Sequence, residues 1–398
     1  MEKKGNDGLK FVLAVYVVSR LFYLVAGAFF VRFLPISDFV KRTADNPLGT
    51  LNVWAHWDGE HYMRLARSGY LNEPDNVSPA FFPLYSLLIR SFSELFGGSV
   101  VPGVLSLWGV LLSLIVLPFA LYFVYRIAEN GWGDRVARGS VLTLAFFPTA
   151  FFLNSAYTES LFLALSAGSL WAAMVRRDLF LACVLAAFAT ATRNVGIFLL
   201  VPLAYEWMRN AGYYRWRVGY LALAPSGLVL YMGYLWWRFG EPLLFYTAQE
   251  DWNRQATGPL ATILVSFRQS LEGLRLAFDP ATFSESSMGR LLDRIVFTDD
   301  IQSLILLVLA VVVILLGLRM LPLGLSAYAL LVAVVPAFFG TPDNPLMGVS
   351  RYVLVAFPIF IVLGALLENR RLLAVWLVLS AAASLVLCAL FITWRYVA

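Results

Sequence analysis

VPGVLSLWGVLLSLIVLPFALYFVY, residues 101–125, runs for 25 positions without one charged side chain. About 20 apolar residues in a helix cross the hydrocarbon core of a bilayer, so this stretch reads as a transmembrane helix. Comparable runs recur from end to end of the 398 residues: Phe11–Leu34, Gly139–Leu153, Ser160–Val175, Leu179–Thr192, Val195–Trp207, Val218–Trp237, Ile301–Leu318, Pro322–Phe339, Tyr352–Leu367 and Leu372–Trp394. With Val101–Tyr125 they predict about eleven helices, of which those beginning at Gly139, Leu179 and Val195 are short. Composition agrees: 60% of residues are hydrophobic, 14% are charged, and the mean hydropathy is +0.74. A soluble domain has no way to hide that much apolar surface. The alternating short strands of a transmembrane barrel are absent. The expected fold is therefore an all-α polytopic membrane protein, one domain over residues 1–398, without low-complexity segments or convincing internal repeats.

The N-terminal Lys3-Lys4 and the Ala26-Gly27-Ala28 triplet imitate a secretory signal. The apolar run continues to Leu34, however, which predicts an uncleaved first helix. Lys and Arg favour cytoplasmic loops. With the N-terminus cytoplasmic, Arg126/Arg135/Arg138, Arg176/Arg177, Arg209/Arg215/Arg217, Arg319 and Arg370/Arg371 all fall on the cytoplasmic side. That register requires the segment Phe82–Phe96, with Pro83, Arg90 and Glu94, to lie along the outer surface rather than cross. The net charge of +5 thus reports topology, and no nucleic-acid partner is expected. The compact loops and the absence of a retention signal suit a prokaryotic plasma membrane better than the endoplasmic reticulum of a eukaryote. Cys183 and Cys388 lie in apolar runs and read as small buried hydrophobes rather than a disulfide. His56 and His61 have no Cys or third His nearby, so neither a metal site nor a cofactor is expected.

The outer face then collects two large loops, 35–100 and 239–300, with the turns Asn154–Glu159, Arg193-Asn194 and 340–351. The first loop carries Trp57-Asp58-Gly59-Glu60-His61-Tyr62, read as part of an interfacial helix over Trp54–Arg67. On that helix Trp54, Asp58, His61 or Tyr62, and Leu65 share one face; Glu60, Arg64 and Arg67 share the other. Glu60 four residues before Arg64 is an ordinary solvated ion pair. Asp58 lies on the aromatic face, where a carboxylate is costly to bury unless it has an Arg partner or work in a cleft. Glu159 opens a predicted helix, where the helix dipole favours it, and also sits at the outer mouth of the bundle. Arg193 and Arg351 stand outside, against the charge bias. They either bind phosphate through a planar fork of donors or pair with the nearby acids.

At this point the chain resembles the PIG-V family, the GPI mannosyltransferase 2 group within the GT-C membrane glycosyltransferases. The resemblance rests on Trp57-Asp58-Gly59, Tyr62, Ala66 and Gly69-Tyr70, then Ala80–Tyr85, Phe147–Phe152, Ala156–Phe162, Ala191–Gly196, Arg351-Tyr352 and Phe357-Pro358, in order along the chain. It thins beyond Gly196 and offers no motif in 239–300. It implies a GT-C-type helical bundle with amphipathic surface helices in the first outer loop. It also implies an inverting transfer of mannose from a polyprenyl-phosphate donor of the dolichyl type on the extracytoplasmic side. The acceptor would be a glycolipid, glycan or protein hydroxyl. By the same resemblance Asp58 and Glu159 are the catalytic acids and Arg351 binds the donor phosphate, where the residue reading above also puts Arg193. Trp57, His61, Tyr62, Tyr157 and Tyr352 are assigned to substrate. Two rivals stand beside this reading. One is a secondary transporter or flippase, which charged positions at mid-membrane and paired repeats would favour. The other is a non-catalytic subunit of a glycosylation complex, which would tolerate loss of Asp58.

Overall fold

A computed structural model describes residues 2–37, 52–71, 77–97, 102–256, 258–278, 288–296 and 298–397. Within them the chain is a bundle of helices with one two-residue antiparallel bridge, Gln255–Ala256 against Phe339–Gly340. Among the described residues five helices are long and apolar enough to cross a membrane: Asp7–Phe33, Gly103–Trp132, Arg215–Phe239, Asp299–Gly317 and Arg370–Ile392. The pair Val349–Val355 and Pro358–Leu366, bent by 74°, is as apolar and makes a sixth when counted as one span. The bend falls at Ala356, whose ψ of 63° leaves the helical region, and Pro358 then opens a new helix at its first position.

Of about eleven expected helices, the short ones beginning at Gly139 and Val195 are interrupted. The run from Gly139 is the helix Asp134–Ala145 followed by a 3-10 turn, Ala150–Asn154. The run from Val195 is a 3-10 segment, Asn194–Leu199, before the helix Leu200–Arg209. Leu179–Thr190 is a 12-residue helix whose first turn is capped by Asp178, accepting from the Leu181 amide at 3.0 Å. Breaks inside an apolar bundle must satisfy their own backbone groups. Arg20, 3% exposed in the first helix, does this for the break after Ala145. It donates to the Ala145 carbonyl at 3.0 Å, the Ala150 carbonyl at 3.2 Å and Asn154 Oδ1 at 2.5 Å. Nothing in the sequence around Arg20 signals that role.

Helices approach closely where side chains are small, the general habit of membrane bundles. A Cβ on Gly139 would stand 2.9 Å from Gly364 Cα, so Asp134–Ala145 and Pro358–Leu366 touch backbone to backbone. The stretch between the first two long helices holds two short helices, Asp58–Ser68 and Pro83–Phe92, which pack on each other and on the long helix Pro102–Trp132. The predicted helix from Trp54 starts at Asp58 instead, because Trp57 adopts a positive φ of 54° that breaks the chain direction there.

The bundle has two chemically distinct ends. One gathers the segments 57–62, 80–82, 192–194, 249–254, 347–352 and Tyr396 around a cavity of about 290 Å³. The other gathers Trp132, Arg177, Glu206, Arg209 and the 320–322 turn around a second polar cavity.

Candidate active site

Four charged side chains from four distant segments form one ladder. Asp58 Oδ2 accepts from Arg351 Nη1 at 2.5 Å, and Arg351 Nε donates to Glu159 Oε1 at 2.6 Å. Arg193 Nη1 donates to the same Oε1 at 2.9 Å. Side-chain exposure falls from 34% at Asp58 through 10% at Arg351 to nothing at Glu159, so the ladder runs from the cavity wall into the core. Aromatic faces line its cations. The Arg351 guanidinium lies 4.6 Å from the Tyr157 ring centre, and that of Arg193 lies 4.6 Å from Tyr352.

Local structure explains how each member is held. Asp58 is the first helical residue after the strained Trp57, with the helix dipole favouring its charge. Glu159 begins the helix Glu159–Trp171 and is fixed from below by Ser160 Oγ, which donates to the Leu153 carbonyl. Arg351 follows Gly348, whose φ of 81° turns the chain into the helix Val349–Val355. The Tyr157 hydroxyl donates to the His56 carbonyl at 2.8 Å, tying the Glu159 turn to the segment before Asp58.

Trp57, Asp58, His61, Tyr62, Arg193, Arg351 and Tyr352 all line the cavity. Glu159, expected as a catalytic acid, is 0% exposed, and Tyr157, expected beside substrate, is 2% exposed; both sit outside the cavity lining and contact its arginines. The expected Glu60–Arg64 pairing is also replaced: Arg64 Nη2 reaches His61 Nδ1 at 2.8 Å. His61 stacks on Phe81 with ring centres 4.6 Å apart. Burial lowers the His61 ring below the usual imidazole range, although Asp58 pulls the other way, so His61 is neutral near pH 7. Burial pushes buried His56 down to about 3, and it stacks on Trp394 as a core ring. Among the described residues no group of three or more His, Cys, Asp or Glu side chains is placed to hold a metal ion.

Sequence reasoning passed over Gln249, Arg254 and Tyr396, which complete the cavity wall. Arg254 lies in the segment where no motif was found, among Arg268, Arg275, Arg290 and Arg294, and nothing local singles it out.

Burial would raise the Asp58 carboxyl, but the charge and hydrogen bond of Arg351 overcome this and hold it below the usual carboxylate value. The ion pair therefore stabilises the fold above the ordinary carboxylate pKa and loses that effect as pH falls through the lowered one. In Arg351→Gln the main lowering influence is gone while burial remains. Any activity that depends on ionised Asp58 should then fail at a higher pH than in the parent, as pH–rate profiles of the two proteins would show. Coincident acid limbs would mean that Arg351 does not set the charge of Asp58.

Residues 9–215, just over half of the chain, match the mannosyltransferase (PIG-V) family. The chain belongs to that family. Membership disfavours the transporter reading and covers Asp58, Glu159 and Arg193, but not Arg254 or Arg351. Within the family, the chain is 32% identical to GPI alpha-1,6-mannosyltransferase 2 of Homo sapiens over 179 residues, 43% of this chain and 34% of that one. It is 25% identical to GPI mannosyltransferase 2 of Drosophila pseudoobscura pseudoobscura over 140 residues, 32% of this chain and 30% of that one. The matched stretch thus spans about a third of the length of these relatives. Among solved structures, the apo oligosaccharyltransferase of Archaeoglobus fulgidus aligns at a TM-score of 0.46 and 14% identity, over 96% of this chain and 56% of that one. ArnT from Cupriavidus metallidurans bound to undecaprenyl phosphate aligns at 0.43 and 14% identity, over 96% and 77%.

Proposed function

We propose that this PIG-V family member transfers mannose, with inversion, from a polyprenyl-phosphate donor to a hydroxyl acceptor on the extracytoplasmic side, using Asp58 as the base. The observation that carries this is the placing of Asp58: on the wall of a polar cavity, paired to an arginine, beside an apolar groove. The reaction needs little else. An alcohol is a poor nucleophile until its proton is taken, and a carboxylate within hydrogen-bond reach accepts that proton as attack proceeds. The acceptor oxygen bonds to the anomeric carbon, the carbon–oxygen bond to phosphate breaks, and the phosphate keeps the electron pair. Nearby guanidinium groups offset the charge that develops there.

The groove has a volume of about 630 Å³. Leu65, Leu84, Leu87, Val184, Phe188 and Leu230 are among the side chains that line it. It abuts the cavity along a shared seam: Phe82 and Thr192 line the cavity, while their chain neighbours Pro83 and Ala191 line the groove. The Leu84 amide donates to the Ala191 carbonyl at 3.1 Å, which closes the seam. A phosphate in the cavity and a prenyl chain in the groove fit that layout. The arginines at the far end of the bundle, Arg177 and Arg209, support a cytoplasmic assignment for that end. On this reading residues 1–398 act as one domain, with 35–100 supplying the base and 239–300 forming a second outer loop. The membrane is the plasma membrane in a prokaryote or the endoplasmic reticulum in a eukaryote.

The direct test incubates purified protein in lipid with a panel of radiolabelled polyprenyl-phosphate sugars and a lipid extract as acceptor. Label from the mannose donor should pass into a glycolipid product; no transfer from any donor in the panel would overturn the proposal. A second result follows from the groove. Leu87→Trp with Leu230→Trp fills it, so use of long-chain donors should fall by about tenfold while a short-chain analogue is used as before. Equal loss with both chain lengths would separate the groove from the donor.

A further inference from the structure

Three guanidinium groups line the cavity: Arg193, Arg254 and Arg351. Two of them are committed. Arg193 and Arg351 share Glu159 Oε1, and Arg351 also holds Asp58. Two cations and two carboxylates sum to zero charge. Arg254 differs, since it makes no ion pair among the described residues. Its Nη1 and Nη2 donate only long bonds, 3.4 Å each, to Gln249 Oε1 and the Met347 carbonyl, and its Nε is buried without a partner. With His61 neutral, Arg254 leaves the cavity one positive charge in excess.

Arg254 is nevertheless well placed. It immediately precedes the Gln255–Ala256 bridge to Phe339–Gly340, and the Met347–Gly348 turn crosses beside it. A Cβ on Gly348 would come 3.6 Å from Arg254 Nη2, and the φ of 81° there independently favours glycine. Two separate stretches of backbone thus aim one unpaired guanidinium into the cavity.

We propose that Arg254 anchors the phosphate of the lipid-linked donor, and that Arg351 and Arg193 position the carboxylates. This rests on the transfer reaction given above. A polyprenyl-phosphate sugar is a phosphodiester with one negative charge, which the surplus charge of Arg254 matches. On transfer the proton passes to Asp58 and the electron pair to the departing phosphate, which gains a second charge. The same event neutralises the carboxylate that held Arg351, so that guanidinium is released to the phosphate as the phosphate needs it. The total charge of the site is unchanged throughout. A planar fork of donors suits a phosphate better than an ammonium does.

The test measures binding of undecaprenyl phosphate to the full-length protein in nanodiscs, using native mass spectrometry, for the parent, Arg254→Gln, Arg254→Lys and Arg351→Gln. Arg254→Gln should weaken binding by at least about tenfold and Arg254→Lys by less, in line with the loss of one charge-assisted contact. In turnover, the donor KM should rise in Arg254→Gln while the acceptor KM stays where it was, a split that a merely structural role would not produce. Parent-like binding by both Arg254 variants, with binding lost in Arg351→Gln, would transfer the anchor to Arg351 and overturn the inference alone. No binding by the parent would overturn the proposed function and this inference with it.

Discussion

Asp58→Asn should leave a protein that folds and inserts yet transfers sugar about 10²–10⁴-fold more slowly, the usual contribution of a positioned general base. Asn has the size of Asp and still offers an oxygen to Arg351, but it does not take up a proton at working pH. The fold should survive because the Asp58 side chain is 34% exposed and Arg351 keeps its bond to Glu159. Partly exposed ion pairs contribute only about 1 kcal/mol or less. The loss should therefore fall on kcat, with donor binding little changed. Single-turnover rates beside binding of undecaprenyl phosphate would separate the two. Turnover equal to the parent would remove Asp58 as the base and favour a non-catalytic role for the chain.

Glu159→Gln should do the opposite, striking stability first. Glu159 is wholly buried and is the carboxylate that both arginines share. Taking one partner from a buried ion pair leaves an uncompensated charge and costs about 3–5 kcal/mol. Here Arg351 retains Asp58, but Arg193 is left with a neutral amide oxygen in place of the carboxylate, beside the Thr158 hydroxyl at 3.4 Å and the Tyr352 face. A clear drop in melting temperature in detergent or nanodiscs is expected, with activity falling because both guanidinium groups lose their positions. A melting temperature matching the parent would show that Glu159 does not hold the ladder together.

Apolar runs such as Val101–Tyr125 were readable because hydropathy needs no knowledge of neighbours. The interruptions at 145–154 and 194–199 were not, because the groups freed by a broken helix are satisfied by partners far away in sequence. Arg20 to the Ala145 and Ala150 carbonyls is such a case, with separations of 125 and 130 residues. The charges of the ladder stood out for the same reason that makes them costly: each lies beside aromatic or apolar runs. Their pairing did not, since Asp58 and Arg351 are 293 residues apart. The reading left two fates open for Asp58 and for the two arginines, and geometry joins them: Asp58 has both an arginine and a cavity. Glu159 reads as a catalytic acid and Tyr157 as a substrate contact because their motif is visible in the sequence while their depth is not. Arg254 stayed hidden because its surroundings in sequence are ordinary, and its isolation from carboxylates exists only in three dimensions.

One oxygen of Glu159 carries both guanidinium bonds, while the other, Oε2, is buried and accepts no hydrogen bond among the described residues. Buried acceptors are rarely left idle. The spare lone pairs offer a second mooring within the same carboxylate. If Arg351 swings outward to follow a departing anion, Glu159 still holds Arg193 through Oε1 and keeps a second oxygen open. A catalytic cycle that shuttles one guanidinium back and forth would then leave the deep end of the ladder at rest.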